Sequence, residues 1–278
     1  MPVRSPKDVI RGVLRSFGLD IRRISSGRRA MRESGQLGEL LRHAKQFISP
    51  ASVIDVGAAY GEFTEECITV FPNARYLLIE PLVEYQALLS GLERSLPSVR
   101  YLCAAASSQT GETAINVHPD LVGSSLLREV ETGTDVNGLP RNVRTVTLDG
   151  AVNEVGAKGP FLLKVDVQGA ELDVLKGAEE VLKEAEYVLL EVSFFKFFES
   201  GPEFGDVIGY MKRLGFVPYD MMGFQYRPLD NALSQADVAF VKESGPFRRE
   251  HGYATSTQRA EQNRKIQSYL SQRLNRGR

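Results

Sequence analysis

Three acids in this chain close apolar, strand-like runs, the positions at which an open α/β sheet meets its ligand, and a fourth lies inside such a run. Asp55 lies inside Val53-Ile54-Asp55-Val56-Gly57-Ala58-Ala59-Tyr60-Gly61. Glu80 closes Tyr76-Leu77-Leu78-Ile79 and is followed by Pro81. Asp166 ends Phe161-Leu162-Leu163-Lys164-Val165, and Glu191 ends Tyr187-Val188-Leu189-Leu190. A strand, a glycine loop opening a helix, and an acid closing the next strand make a nucleoside-binding βαβ unit. A dinucleotide fingerprint needs a second glycine two residues after the first, so that backbone can touch a pyrophosphate. Ala59 holds that position. The pattern Asp-x-Gly-x-x-x-Gly therefore suits a ligand without phosphates that presents a cationic, amino-acid-like tail. S-adenosylmethionine is such a ligand. The expected cofactor residues are Asp55, Gly57, Ala58, Tyr60 and Gly61 around the methionine end. Glu80 and Pro81 are placed at the ribose, and Ala105 beside the adenine.

Asp166 and Lys164 form the second constellation. A lysine inside an apolar strand is costly unless paired, and residues two apart share one face. A Lys164–Asp166 pair pointing at the crevice answers that cost. Asp166 is the first candidate for a base or acceptor anchor, with Lys164 steering it; the structural alternative is a helix N-cap. Glu191 is a further crevice candidate. The phenylalanines of Phe194-Phe195-Lys196-Phe197-Phe198 are expected in the core under a helix at 203–214 rather than in an acceptor pocket. Of the histidines, His118 is the nearest to the crevice, and a surface turn is its expected place. No His/Cys/Asp/Glu group has the spacing of a zinc site; a magnesium on Asp149 and Asp166 stays open. Hydrolase signatures are absent.

The elements that would hold these residues alternate. Strands are expected at 52–57, 75–80, 99–106, 113–118, 143–148, 160–166, 187–193, 215–219 and 236–242. Helices are expected at 61–71, 82–95, 170–183 and 203–214. This order implies a mostly parallel sheet with helices on both faces. The stretch at about 111–148 interrupts it with short strands around a Ser/Gly/Asn-rich loop, a hairpin-type insertion and candidate lid.

Charge divides the 278 residues. Residues 1–45 hold eleven Lys/Arg against four Asp/Glu, residues 246–278 hold eight against two, and residues 46–245 hold fifteen against twenty-nine. An acidic body argues against a nucleic-acid enzyme. The expected organisation is a basic helical segment at 1–46, a ligand-binding domain at 47–245 and a basic polar tail at 246–278. Ile10, Val13, Leu14, Phe17 and Ile21 with interspersed arginines read as a basic amphipathic helix. It suggests weak peripheral contact with an anionic membrane, or packing on the body or a second subunit. Cys67 and Cys103 lack partners at metal spacing and suit a reducing, cytoplasmic setting. No run approaches a membrane span. Residues 256–275 are expected to form a weak helix.

These motifs also carry a resemblance. Val53–Phe63, Ile79-Glu80-Pro81, Ala105-x-Ser107-Ser108-x-x-Gly111, Ser124-Ser125-Leu126, Thr147-Leu148-Asp149, Lys164-x-Asp166-x-Gln168-Gly169-x-Glu171, Leu189-Leu190-Glu191-Val192 and Gln235-x-Asp237-Val238-x-Phe240-Val241 occur in order. Together they resemble the FkbM-type methyltransferases over residues 50–242. The resemblance implies a class I, Rossmann-like sheet with one antiparallel strand. It also implies S-adenosylmethionine as cofactor, and O-methylation of a sugar, glycan or secondary-metabolite hydroxyl. Two positions depart from the family pattern: Ala59 stands where an Asn is common, and Gln168 where Glu is frequent. Rival readings are a non-catalytic nucleoside-binding scaffold and an oxidoreductase of the NAD type, which Ala59 disfavours.

Overall fold

A computed structural model describes residues 29–275. The expected helix at Ile10–Ile21 lies outside the described residues.

The apolar, β-branched runs become a seven-stranded sheet. Its strands are β1 (Ser52–Val56), β2 (Arg75–Ile79), β3 (Val99–Leu102), β7 (Phe161–Val165), β8 (Ala185–Ser193), β9 (Phe216–Tyr226) and β10 (Leu233–Lys242). Their spatial order is β3-β2-β1-β7-β8-β10-β9. β1 pairs in parallel with β2 on one side and β7 on the other. That reversal of strand order opens a crevice at the carboxyl ends of β1 and β7. β10 is antiparallel to both β8 and β9, the one strand that runs against the others. Every residue of β1 is buried, as a parallel strand covered on both faces requires.

Two apolar clusters lie on the two faces of the sheet. Val53, Leu78, Leu162 and Leu189 point into one, which the helices Arg29–Ala44 (α1), Glu62–Val70 (α2) and Val83–Ser95 (α3) help to cover. Ile54, Leu77, Leu163 and Leu190 point into the other, where later helices pack. The basic N-terminal segment meets the body here: Leu40, Leu41 and Ala44 of α1 are core residues. Phe247 of the C-terminal region joins them. The helix Ser256–Asn275 follows, exposed from 257 to 274. Among the described residues, no helix is long and apolar enough to cross a membrane.

The insertion is a second, three-stranded sheet in the order β4-β6-β5. It comprises β4 (Ala105–Ala106), β5 (Gly111–Val117) and β6 (Leu139–Val146). β5 and β6 are antiparallel, as a hairpin requires, and β4 adds in parallel to β6. The strand expected at 99–106 is therefore two. Leu102 pairs with Ile79 in the main sheet, whereas Ala105 pairs with Thr145 in the small one. A turn closed by Ala104 N–H donating to the Leu102 carbonyl (3.0 Å) carries the chain across. The helix expected at 170–183 is also two, Glu171–Lys176 and Glu179–Glu184. Between them Gly177 packs so closely on the backbone that a Cβ would lie 2.4 Å from the Ser107 carbonyl oxygen. Helix Leu148–Val155 was not expected, because the strand at 143–148 was read through its start. Its signals are local: the Thr147 hydroxyl caps it by accepting from Gly150 N–H at 3.1 Å, and Gly156 ends it in the left-handed region.

Leu41 is fully buried. Leu41→Ala is expected to lower unfolding stability by about 2–5 kcal/mol, the range for a core leucine, measured by chemical denaturation. A loss near zero would mean that α1 does not pack as described.

Candidate active site

The cleft at the switch point is lined by Val56, Gly57 and Ala59 from the first loop, by Ile79 to Leu82 and Tyr85, by Ala105 and Ala106, and by Asp166 to Gln168. The insertion supplies the remaining wall with Ile115, Leu121, Val122, Ser124 and Leu126.

The first loop is set by backbone geometry. Gly57 has φ 73° and packs against the chain after β7, where a Cβ would lie 1.9 Å from the Asp166 carbonyl oxygen. Only glycine fits that approach. Gly61 follows with φ 88° at the start of α2. Glu80 crosses to this loop. Its Oε2 accepts from Ala59 N–H and its Oε1 from Leu82 N–H, each at 2.9 Å. Burial raises the Glu80 pKa; the two backbone donors and Lys164 oppose the shift. A carboxylate offers about four acceptor positions, so a pair of hydroxyls can still be received.

Behind the loop, Lys164 and Asp55 are register partners on adjacent strands. Lys164 Nζ donates to the Gly57 carbonyl at 2.7 Å and lies 3.4 Å from both Asp55 Oδ1 and Asp166 Oδ2. Burial works against its charge, yet Asp166, Asp55 and Asp237 outweigh that and raise its pKa above the usual lysine value. Asp55 is buried, with Oδ2 accepting from the Thr64 hydroxyl at 2.7 Å. Oδ1 has no hydrogen-bond partner, which leaves Lys164 to answer its charge.

The expected residues therefore divide. Gly57, Glu80, Pro81, Ala105 and Asp166 line the cleft. Asp55, Lys164 and Glu191 sit behind it, a correction to the idea that Lys164 points into the crevice. Its ammonium meets Asp55, its register partner on β1, and Asp166, each at 3.4 Å. Ala58 is buried in the core. Tyr60 is 45% exposed and bonds Glu62 at 3.1 Å. Burial and Glu62 push its pKa up to about 12. Gly61 shapes the loop from below. Glu191 is held by three amides, Gln168 (2.7 Å), Gln235 (2.9 Å) and Gln225 (3.2 Å). Burial first, then Asp166, Asp237 and Glu171, raise its pKa well above the carboxylate range. His118 pairs with Asp120 at 2.6 Å in a turn of the insertion, outside the lining. Phe198 is buried and Phe194 stacks on Phe204, so these rings serve packing. Asp149 caps the helix Glu179–Glu184 by accepting from Glu180 and Val181 N–H, which removes it from any site with Asp166. Among the described residues no group of three or more His, Cys, Asp or Glu side chains could hold a metal ion. Sequence reading missed Tyr85 and the apolar insertion residues. Apart from Leu126, which closes the Ser124-Ser125-Leu126 motif, they carry no motif, and folding brings the insertion to the cleft.

A family model described as "Methyltransferase FkbM domain" matches residues 55–218, which span the loop, the insertion and the strand bearing Asp166. The chain belongs to the FkbM methyltransferase family. Its cofactor is S-adenosylmethionine, as the sequence resemblance implies. The cleft fits that group: apolar walls for a base, a buried acid with free acceptor positions, and no second glycine for a pyrophosphate. Methyltransferase sdnD of Sordaria araneosa is 29% identical over 157 residues, which cover 46% of this chain and 60% of that protein. The match thus spans less than two thirds of that relative's length. Among solved structures, an FkbM methyltransferase from Methylobacillus flagellatus KT is similar at 16% identity and TM-score 0.44, over 68% of this chain and 43% of that one. A magnesium protoporphyrin IX methyltransferase from Synechocystis PCC 6803, with bound S-adenosylmethionine, is similar at 10% identity and TM-score 0.41, over 87% and 99%.

Glu171, buried beneath the cleft, has its pKa raised by burial to about 7, although Val167 and Gly169 N–H donate to it. Its folded pKa exceeds the unfolded one. The stability it contributes is therefore complete below about pH 4.5 and lost as pH rises through about 7. The loss is about 3 kcal/mol at 1.36 kcal/mol per unit. Denaturation at pH 4 and pH 8 is expected to show a smaller difference for Glu171→Gln than for the unsubstituted protein. Equal differences would contradict the assignment.

Proposed function

We propose that this methyltransferase is an O-methyltransferase acting on a hydroxyl of a sugar, a glycan or a secondary metabolite. The observation that carries the reading is the pair of acids lining the cleft. Glu80 is 5% exposed and committed to backbone donors. The Asp166 side chain is 33% exposed. One acid is thus suited to a fixed ligand group and the other to an exchanging substrate.

S-adenosylmethionine supplies an electrophilic methyl group on a sulfonium. Everything else falls to the chain. Glu80 would receive the ribose hydroxyls, and the apolar Ile79, Pro81 and Leu82 with Ala105 and Ala106 would enclose the adenine. Lys164 holds the Gly57 carbonyl, and so the loop, at a fixed distance from Asp166. Asp166 accepts the proton of the acceptor hydroxyl as its oxygen becomes the nucleophile. The apolar insertion residues Leu121, Val122 and Leu126 narrow the mouth and keep water from the reacting oxygen. The main catalytic gain is positioning of two bound reactants.

Two substitutions test the two acids. Glu80→Ala removes a charge-assisted hydrogen bond worth roughly 1.5–3 kcal/mol. S-adenosylmethionine binding by calorimetry should weaken about ten- to a hundredfold, with the fold retained; unchanged affinity would refute the ribose role. Asp166→Asn keeps shape and removes basicity. Release of S-adenosylhomocysteine in the presence of a deproteinised metabolite and glycan pool should fall roughly 10²–10⁴-fold, while cofactor affinity changes far less. Near-full turnover would remove Asp166 as the base. Mass spectrometry of the same mixture should find the methyl on oxygen; methylation of nitrogen or carbon would overturn the O-methyltransferase reading.

A further inference from the structure

We propose that Gln168 is a positioning residue that fixes the Asp166 carboxylate and ties it to the insertion over the cleft. The inference rests on the reading of Asp166 as the base.

Gln168 has φ 54°, in the left-handed region that side chains other than glycine, Asn and Asp seldom adopt. Such a conformation persists only where its surroundings over-determine it. Three elements do so here. The side-chain amide nitrogen donates to Asp166 Oδ1 at 3.0 Å and to Glu191 Oε2 at 2.7 Å, which uses both of its hydrogens. The main-chain carbonyl accepts from the Ser125 hydroxyl of the insertion at 2.6 Å. Glu191 is anchored in turn by Gln225 on β9 and Gln235 on β10. The orientation of Asp166 is therefore set from both sides, by Lys164 at Oδ2 and by Gln168 at Oδ1. Its remaining acceptor positions are those available to a substrate hydroxyl.

The choice of an amide has a physical reason. Lys164 on β7, Glu191 on β8 and Glu171 in the following helix act on or with Asp166, and Asp55 on β1 and Asp237 on β10 act on Lys164 beside it. This is a crowd of acids around one cation. An amide donates to two of them without adding charge of either sign. A second cation would pair with Asp166 and quench its basicity.

Gln168→Met keeps length and loses the donor, and Gln168→Ala removes the side chain beyond Cβ. Both are assayed by S-adenosylhomocysteine release on the deproteinised metabolite and glycan pool, from pH 5 to 9, beside Asp166→Asn. The expected result is a limiting rate about tenfold or more lower in both Gln168 variants. The acidic limb of the profile should move to higher pH in both. The calorimetric Kd for S-adenosylmethionine should stay within about threefold, which also reports an intact fold. If Gln168→Met does not fold, Gln168→Ala decides alone. A profile scaled down equally at every pH, or rates like those of the unsubstituted protein while Asp166→Asn collapses, overturns the positioning role and leaves the base reading standing. If Asp166→Asn keeps its turnover, the base reading fails and takes this inference with it.

Discussion

The burial of one ammonium group organises this active site. Lys164 sits in the middle of a parallel sheet, where an unpaired charge would cost several kcal/mol. Its partners come from the two strands that meet at the switch point: Asp55 on β1, Asp166 just beyond β7, and the Gly57 carbonyl of the loop between β1 and α2. No partner is dispensable. Removing Asp55 would leave the lysine short of charge, and removing the lysine would leave Asp55 buried with no answering group. The cofactor loop and the proposed base are thus held by the same nitrogen. Their relative position is a property of the sheet and not of a mobile loop.

Glu80 applies the same logic at the other end of the cleft. It is almost wholly buried, yet its two oxygens are committed to the Ala59 and Leu82 backbone. Those bonds tie the first loop to the chain after β2 and preorganise the acid before any ligand arrives. A carboxylate held by backbone donors loses little freedom on binding hydroxyls. Asp166 contrasts with it in exposure, and the contrast follows from topology. Glu80 is roofed by the segment leading into α3, whereas Asp166 faces the open side where the insertion and the crevice meet.

The network continues beyond the cleft. Gln168, Glu191, Gln225 and Gln235 join β7 to β8, β9 and β10. The antiparallel edge of the sheet therefore contributes to the site without lining it. Buried polar networks specify a single arrangement when every member is satisfied. Here the amides supply donors to an acid-rich interior without adding charge.

Much of this was legible in the chain itself. Apolar, β-branched runs containing or closed by acids marked β1, β2, β7 and β8, and the glycine spacing with Ala59 disfavoured a pyrophosphate cradle. Asp166 and Glu80 were found because an acid at the carboxyl end of a buried strand has few structural uses. The helix at Leu148–Val155 was legible too, in its Thr147 cap and Gly156 stop, but a strand pattern running into it hid the start. Other features were not in the sequence at all. The direction of Lys164 depends on which strand lies beside β7, and strand order is not a local property. Glu191 reads as a crevice acid by position, yet β10 and β9 bring Gln235 and Gln225 across it and close it off. The cleft-wall residues Leu121 and Val122 have no motif, because an apolar residue in a loop gains meaning only from what it covers. Local spacing determined which residues could do chemistry; long-range pairing decided which of them face the ligand and which hold the others in place.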